Sequence, residues 1–351
     1  MKKLFPKTNM FEEAKRQSDG KIFILEILIF VGVFLVTGII SSLPSLVYSM
    51  SVIMKKPEVL DLINQFTSGA ITQEEYTAEF TRLSTDKFST VLALFCTGIT
   101  TILVIVFCRF IEKRKISTMG FRKKGAALEY LVGALVGIVM YTFAVGLAYA
   151  AGALTFDGVV SNIQWGFIAL CFAGFLIQGM SEEVLCRGYF MVSLSRRSHI
   201  IAAVVISSVA FGCLHLANPG VSALAIINIT LFGIFEGVYI LKRGNIWGVC
   251  AIHSLWNFVQ GNFYGISVSG AYDLDSVVKF SNVPSKDLFN GGQFGLEASI
   301  PVSVVLVIAI IATALTKTNA NELFDEANAP MIESAVEESD VEITEPVVED
   351  Q

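Results

Sequence analysis

The sequence predicts an all-α, polytopic membrane protein with about eight transmembrane helices. Three observations carry that prediction. The 351-residue chain is 54% hydrophobic and only 16% charged, with a mean hydropathy of +0.65, which is not a soluble globular composition. Apolar runs of bilayer-spanning length, roughly 17–25 residues, recur along it. Lys and Arg concentrate in alternate loops between those runs.

In order, spans are expected near 22–48, 88–110, 126–151, 164–186, 199–217, 221–241, 245–262 and 299–316. Residues 1–21 are read as a cytoplasmic N-terminal segment. They are too long and too mixed in charge for a signal peptide, and no small-residue cleavage site follows, so the run from 22 is expected to be a retained helix. Residues 22–163 then hold three helices with an outer loop at 49–87. Residues 164–262 hold a core of four further runs, 263–298 an outer loop, 299–316 the last helix and 317–351 a cytoplasmic tail.

Loop charge sets the expected orientation. The segment from Arg109 to Lys124 also carries Lys113, Arg114, Lys115, Arg122 and Lys123; later loops carry Arg196 with Arg197, and Lys242 with Arg243. Loops 152–163 and 218–220 carry no Lys or Arg. Basic loops face the cytoplasm, so both termini are expected there. Loop 49–87, with Lys55, Lys56, Arg82 and Lys87, runs against the pattern but is outweighed. The tail beyond Lys317 holds eleven acidic residues and no basic one, so the net charge of −6 hides a body of +5. Its low aromatic content predicts disorder. The basic patches are short and flank membrane runs, so the bilayer is the expected partner and nucleic acid is not. Six cysteines, Cys96, Cys108, Cys171, Cys186, Cys213 and Cys250, lie in or beside apolar runs without a CxxC pair, and read as packing residues.

Ionisable side chains at membrane depth are costly, roughly 2.5–3.5 kcal/mol each on insertion scales, and are functional candidates by default. The stretch QGMSEEVLCR places Glu182, Glu183 and Arg187 directly behind an apolar run. Glu183 and Arg187 are spaced i, i+4 and share a helix face; Glu182 is rotated by about 100°. Glu183 is therefore expected to pair with Arg187, leaving Glu182 free to accept a proton. Two further runs carry FGCLH, with Phe211 and His215, and HSLWN, with His253 and Asn257. His199 sits at a basic turn and reads as interfacial. Glu236 either extends the site or, as the favoured expectation, pairs with Lys242 or Arg243 at the membrane surface. Each histidine alone reads equally as packing, and the Glu–Arg pair as structural glue; co-occurrence in the fourth, fifth and seventh runs favours a site.

A carboxylate, two imidazoles and a carboxamide suit amide hydrolysis. The base activates water, while a histidine and Asn257 donate to the oxyanion. Equally, Glu182, His215 and His253 suit a zinc ion with an open position for water. The residues leave both chemistries open.

The ordered pattern Glu-Glu-x-x-x-Arg, Phe-x-x-x-His, His-x-x-x-Asn resembles the CPBP family of intramembrane proteases, also called the CAAX protease and bacteriocin-processing, or Abi, family. The matching residues are Glu182, Glu183 and Arg187; Phe211 and His215; His253 and Asn257. The resemblance covers about 164–262. It implies a site buried between helices, a peptide or membrane-protein substrate, and either a metal-dependent or a glutamate-dependent mechanism. Bacterial relatives are linked to bacteriocin maturation and self-immunity, and some act as scaffolds. A non-enzymatic scaffold or immunity protein is therefore the alternative expectation, and a transporter a further one.

Overall fold

The structure, a computed structural model, describes residues 8–84, 87–270 and 274–319. The acidic tail expected to be disordered lies almost wholly outside the described residues.

Helix α1 (Asn9–Gln17) is amphipathic and buries Met10, Phe11 and Ala14. The long α2 (Phe23–Ile53) follows. The stretch read as outer loop 49–87 is largely helical: α3 (Pro57–Thr67) and α4 (Gln73–Ser84) gather Val59, Leu62 and Leu83 around Ile53 in a small apolar cluster of their own. Then come α5 (Lys87–Val106), with a π-helical extension at Phe107–Ile111, and α6 (Ala126–Ala150). Strand β1 (Leu154–Val159) precedes α7 (Trp165–Glu183), which runs on through a π-helical segment, Val184–Met191, into α8 (Val192–Ser195). Helices α9 (Ile200–Cys213), α10 (Ala223–Arg243) and α11 (Trp247–Phe258) complete the core, the last extended by a π turn at Val259–Phe263. Strand β2 (Val278–Asn282), the short α12 (Asp287–Asn290) and α13 (Ile300–Leu315) follow.

Each of the eight apolar runs is helical. Among the described residues, five helices are long and apolar enough to cross a membrane by length and composition; α9 and α13 are shorter apolar helices. Local chemistry explains the boundaries. Ser222 and Ser299 accept hydrogen bonds from backbone N–H groups in the first turns of α10 and α13. Pro301 fits the first turn of α13, where its missing N–H costs nothing. Gly244 ends α10 in a left-handed conformation, φ 71°. The fifth run ends earlier than expected, at Cys213, and His215 lies in the tight turns beyond, its N–H donating to the Gly212 carbonyl at 3.1 Å. Outward positions such as Leu128, Leu131, Leu135, Ile308 and Ile311 are exposed leucines and isoleucines, the surface a helix turns to lipid.

The loops gather at two ends. Strands β1 and β2 pair antiparallel from Leu154↔Asn282 to Val159↔Val278, with a register break between Phe156 and Gly158, joining loops 152–163 and 263–298. At the other end, Arg196 bonds Glu26 at 3.1 Å and also pairs with Glu112, and the Trp247 indole N–H donates to the Arg122 carbonyl at 2.7 Å. The basic loops thus cluster together.

Helix α11 is pressed against α6 and α7 by glycines. A Cβ on Gly133 would lie 2.1 Å from the Gly248 carbonyl oxygen, one on Gly137 2.5 Å from that of Ile252, and one on Gly179 2.7 Å from the Ser254 nitrogen. Only hydrogen fits at these crossings, and small residues are how membrane helices approach closely. His253 and Asn257 are carried by the helix so fixed.

Candidate active site

A cavity of about 320 Å³ opens among α2, α5, α7, α9, α10, α11 and α13. Glu182 and Glu183 end the regular part of α7, where the helix widens into its π segment. Such segments are rare and recur at functional sites.

Arg187 sits in that π segment, wholly buried, and its Nη1 donates to Glu183 Oε1 at 3.0 Å. Its Nη2 lies 2.9 Å from Glu236 Oε2, also wholly buried. The guanidinium stacks over Phe211, 4.3 Å from the ring centroid. Gly233 makes the room: a Cβ there would stand 2.7 Å from Arg187 Nη2.

His253 Nδ1 lies 2.9 Å from Glu183 Oε1. A carboxylate can only accept, so Nδ1 donates, leaving Nε2 as the nitrogen directed at Glu182, 3.6 Å from its Oε2. Phe232 and Phe211 hold the ring edge-on at centroid distances of 5.4 and 5.9 Å. Glu183 thus positions both the guanidinium and the imidazole and does not reach the cavity, whereas Glu182 lines it and is about a third exposed. Gln178 Nε2 donates to Glu182 Oε1 at 2.6 Å, and Asn257 Nδ2 donates to Gln178 Oε1 at 3.0 Å. Glu182 Oε2 has no hydrogen-bond partner among the described residues.

His215 stands in the wall of the same cavity. Its Nδ1 is 3.0 Å from the Phe211 carbonyl oxygen, which makes Nδ1 the protonated nitrogen and leaves the Nε2 lone pair uncommitted. Glu182, Glu183, Arg187, His253 and Asn257 therefore form one polar set, closed by Gln178, with His215 approaching from α9 through its contact with Phe211, 5.0 Å between centroids.

The expected surface role of Glu236 is corrected. Glu236 is buried against Arg187, while Arg243 pairs with Glu129 and Lys242 Nζ donates to the Thr316 carbonyl at 3.0 Å. The signal was present: Glu236 and Arg243 are seven residues apart, roughly 10 Å along a helix, too far for an easy pair. Gln178, one turn before Glu182 in the same motif, joins the site without a sequence signal, because a neutral amide carries no burial alarm.

Among the described residues, the acids and histidine compact enough to hold a metal ion are Glu183, Glu236 and His253, with donor atoms within 4.8 Å of one another. This is not the expected set of Glu182, His215 and His253. The compact trio already encloses the Arg187 cation, which neutralises its carboxylates where a metal would need them, so this donor set fits a metal poorly. The six cysteines are free and add no thiolate group; five are buried.

Residues 164–259 match the family model of the Rce1-like type II CAAX prenyl endopeptidases. No curated protein and no solved structure matches the chain. The matched segment runs from the start of α7 to the end of α11 and contains every residue of the polar set around Glu182. Residues 164–259 therefore carry an Rce1-like domain, in agreement with the resemblance of the ordered motifs to the CPBP, or CAAX protease, family.

Proposed function

We propose that this protein is an intramembrane endopeptidase that hydrolyses a peptide bond of a membrane-associated or peptide substrate, with Glu182 as the base. The observation that carries the reading is the division among three neighbouring acids. Glu183 and Glu236 are wholly buried on Arg187, and Glu182 alone of the three lines the cavity. A carboxylate so placed takes a proton from a water held between it and the substrate carbonyl. The hydroxide attacks the carbonyl carbon, and the oxyanion gathers hydrogen bonds from the Asn257 amide and from His253 in its doubly protonated form, in which Nδ1–H stays on Glu183 and Nε2–H is free to donate. The proton on Glu182 then passes to the leaving amine as the C–N bond breaks. Asn257 now donates to Gln178, so it exchanges that acceptor for the oxyanion as charge develops. His215, with its free Nε2, orders the attacking water from the wall of the same cavity.

Zinc held by Glu182, His215 and His253 is the alternative chemistry; bound there, it would acidify a water. His215 suits such a role, since ligating histidines commonly donate their other nitrogen to a carbonyl. The compact donors enclose Arg187 instead, and this favours the metal-free version. By loop charge, both termini face the cytoplasm of a bacterial plasma membrane. A scaffold or self-immunity protein is the competing reading; neither it nor a transporter needs a partly exposed base beside an imidazole. Comparative proteomics of membrane and secreted peptides from cells with wild type or Glu182→Gln tests the proposal. Products that vanish with the variant are expected; identical peptide sets at equal protein levels would overturn it.

A further inference from the structure

One end of the cavity is not used by the chemistry above. It is formed by Asn218, Asn228, Ser269 and Glu297, from the turns after α9, the start of α10, the loop after α11 and the entry to α13. Glu297 is 9% exposed. Its Oε2 accepts from the Ser269 N–H at 2.7 Å and from the Ser269 hydroxyl at 2.8 Å. Its Oε1 has no protein donor among the described residues.

The donors here are all committed. Asn218 Nδ2 donates to the Ser269 carbonyl at 3.0 Å. Asn228 Nδ2 donates to the Glu297 and Ser299 carbonyls at 2.7 and 2.8 Å, and its Oδ1 accepts from Ser303 at 2.6 Å. What this end offers is an acceptor: Glu297 Oε1, with Asn218 in the same wall, while the Asn228 oxygen already accepts from Ser303. No Lys or Arg lines the cavity among the described residues, and its two acids are Glu182 and Glu297. An anionic group, such as a free peptide C-terminus, would meet two carboxylates and no cation. An ammonium or guanidinium would meet a buried carboxylate with an open acceptor.

We propose that this oxygen-lined end is a specificity subsite that binds a cationic group, the Lys or Arg side chain of the peptide whose bond lies at Glu182, with Glu297 as its counter-charge. The loop built around Ser269 holds the carboxylate in place. Ser269 itself has φ 49°, a left-handed backbone, and the following Gly270 packs so closely on Pro219 that a Cβ would lie 1.9 Å from its carbonyl oxygen. The subsite deepens the peptidase reading and rests on it for its substrate, but its binding chemistry can be read without turnover.

The test uses the full chain with Glu182→Gln in nanodiscs of phosphatidylcholine and phosphatidylglycerol, which carry no primary amine. The probes are acetyl-Leu-Leu-Lys-Leu-amide and its norleucine counterpart, followed by the fluorescence of Trp256, which lines the cavity. The lysine peptide is expected to bind at least tenfold more tightly, and Glu297→Gln to abolish the difference. Equal binding of the two peptides, or a lysine preference that survives Glu297→Gln, overturns the subsite. If Glu297→Gln does not fold, carbodiimide labelling of Glu297 in the parent protein gives the same answer. Protection by the lysine peptide alone supports the subsite, and no protection, or equal protection by both, refutes it. Adding phosphatidylethanolamine separates the sources of the cation: a lipid amine that displaces the peptide and protects Glu297 assigns the site to headgroups and overturns the peptide version. Lysine-selective binding in a protein that cuts nothing would remove the peptidase reading and leave the cation site standing.

Discussion

Arg187 stands between two carboxylates on different helices, with Glu183 at 3.0 Å on its own helix and Glu236 at 2.9 Å on α10. All three side chains are wholly buried, so the guanidinium ties α7 to α10 directly behind the cavity. Removing one acid leaves the cation a partner; removing the cation leaves two buried carboxylates without the guanidinium between them, and only the His253 Nδ1–H on Glu183. Glu236→Gln is therefore expected to cost about 1.5–3 kcal/mol, and Arg187→Met about 3–5 kcal/mol. Gly233→Ala should also destabilise, by roughly 1–3 kcal/mol, because its methyl group intrudes on Arg187. Thermal unfolding of detergent-purified variants checks the order; an Arg187→Met protein as stable as Glu236→Gln would contradict it.

Glu182 accepts one hydrogen bond and pairs with no cation at close range, so Glu182→Gln should fold at normal levels and lose all cleavage. Asn257→Ala removes a donor to the oxyanion and should lower kcat by about 10²–10³-fold, with little change in KM. Steady-state kinetics on one substrate peptide separates them. An Asn257→Ala enzyme that loses affinity and keeps kcat would place Asn257 in substrate binding.

Metal content distinguishes the two chemistries. In the glutamate-dependent version, a chelator-treated preparation keeps its turnover, and His215→Ala and His253→Ala lower the rate without changing metal content. In the zinc version, purified protein carries about one zinc per chain, chelation stops turnover, and either histidine change lowers metal content. Elemental analysis alongside activity on the same preparation decides.

At the basic-loop end, burial alone would raise the Glu112 carboxyl, but hydrogen bonds and charge from Lys21 and Arg196 outweigh it and hold it below its ordinary value. A carboxyl lowered on folding contributes stability that is present above its unfolded pKa, about 4.3, and is lost as pH falls through the folded value. Melting temperature should thus be flat from neutral pH to about pH 5 and fall below about pH 4. Glu112→Gln should lower the neutral-pH plateau and flatten the acid limb. Parallel acid limbs in both proteins would show that other carboxyls control the descent.

Much of this was readable from the chain. Apolar length and loop charge mark every long helix, since in a bilayer the backbone must satisfy its own hydrogen bonds and the helix is the local way to do so. The pairing of Glu183 with Arg187 follows from i, i+4 spacing, a geometry that survives the π segment. The placing of Glu182 off that face is equally local. What the sequence could not fix was distance between helices. Glu236 is two turns from Arg243, and nothing in its own helix says that Arg187 of another helix will reach it; Gly233 and the crossing of α7 with α10 decide that. Gln178 joins Glu182 to Asn257 because α7 and α11 meet at Gly179 and Ser254. The acid at 297 enters the cavity only because its loop folds back over Ser269. Helices and short-range pairs are set by spacing along one chain segment, whereas a site assembled from four helices depends on which small residues allow those helices to touch.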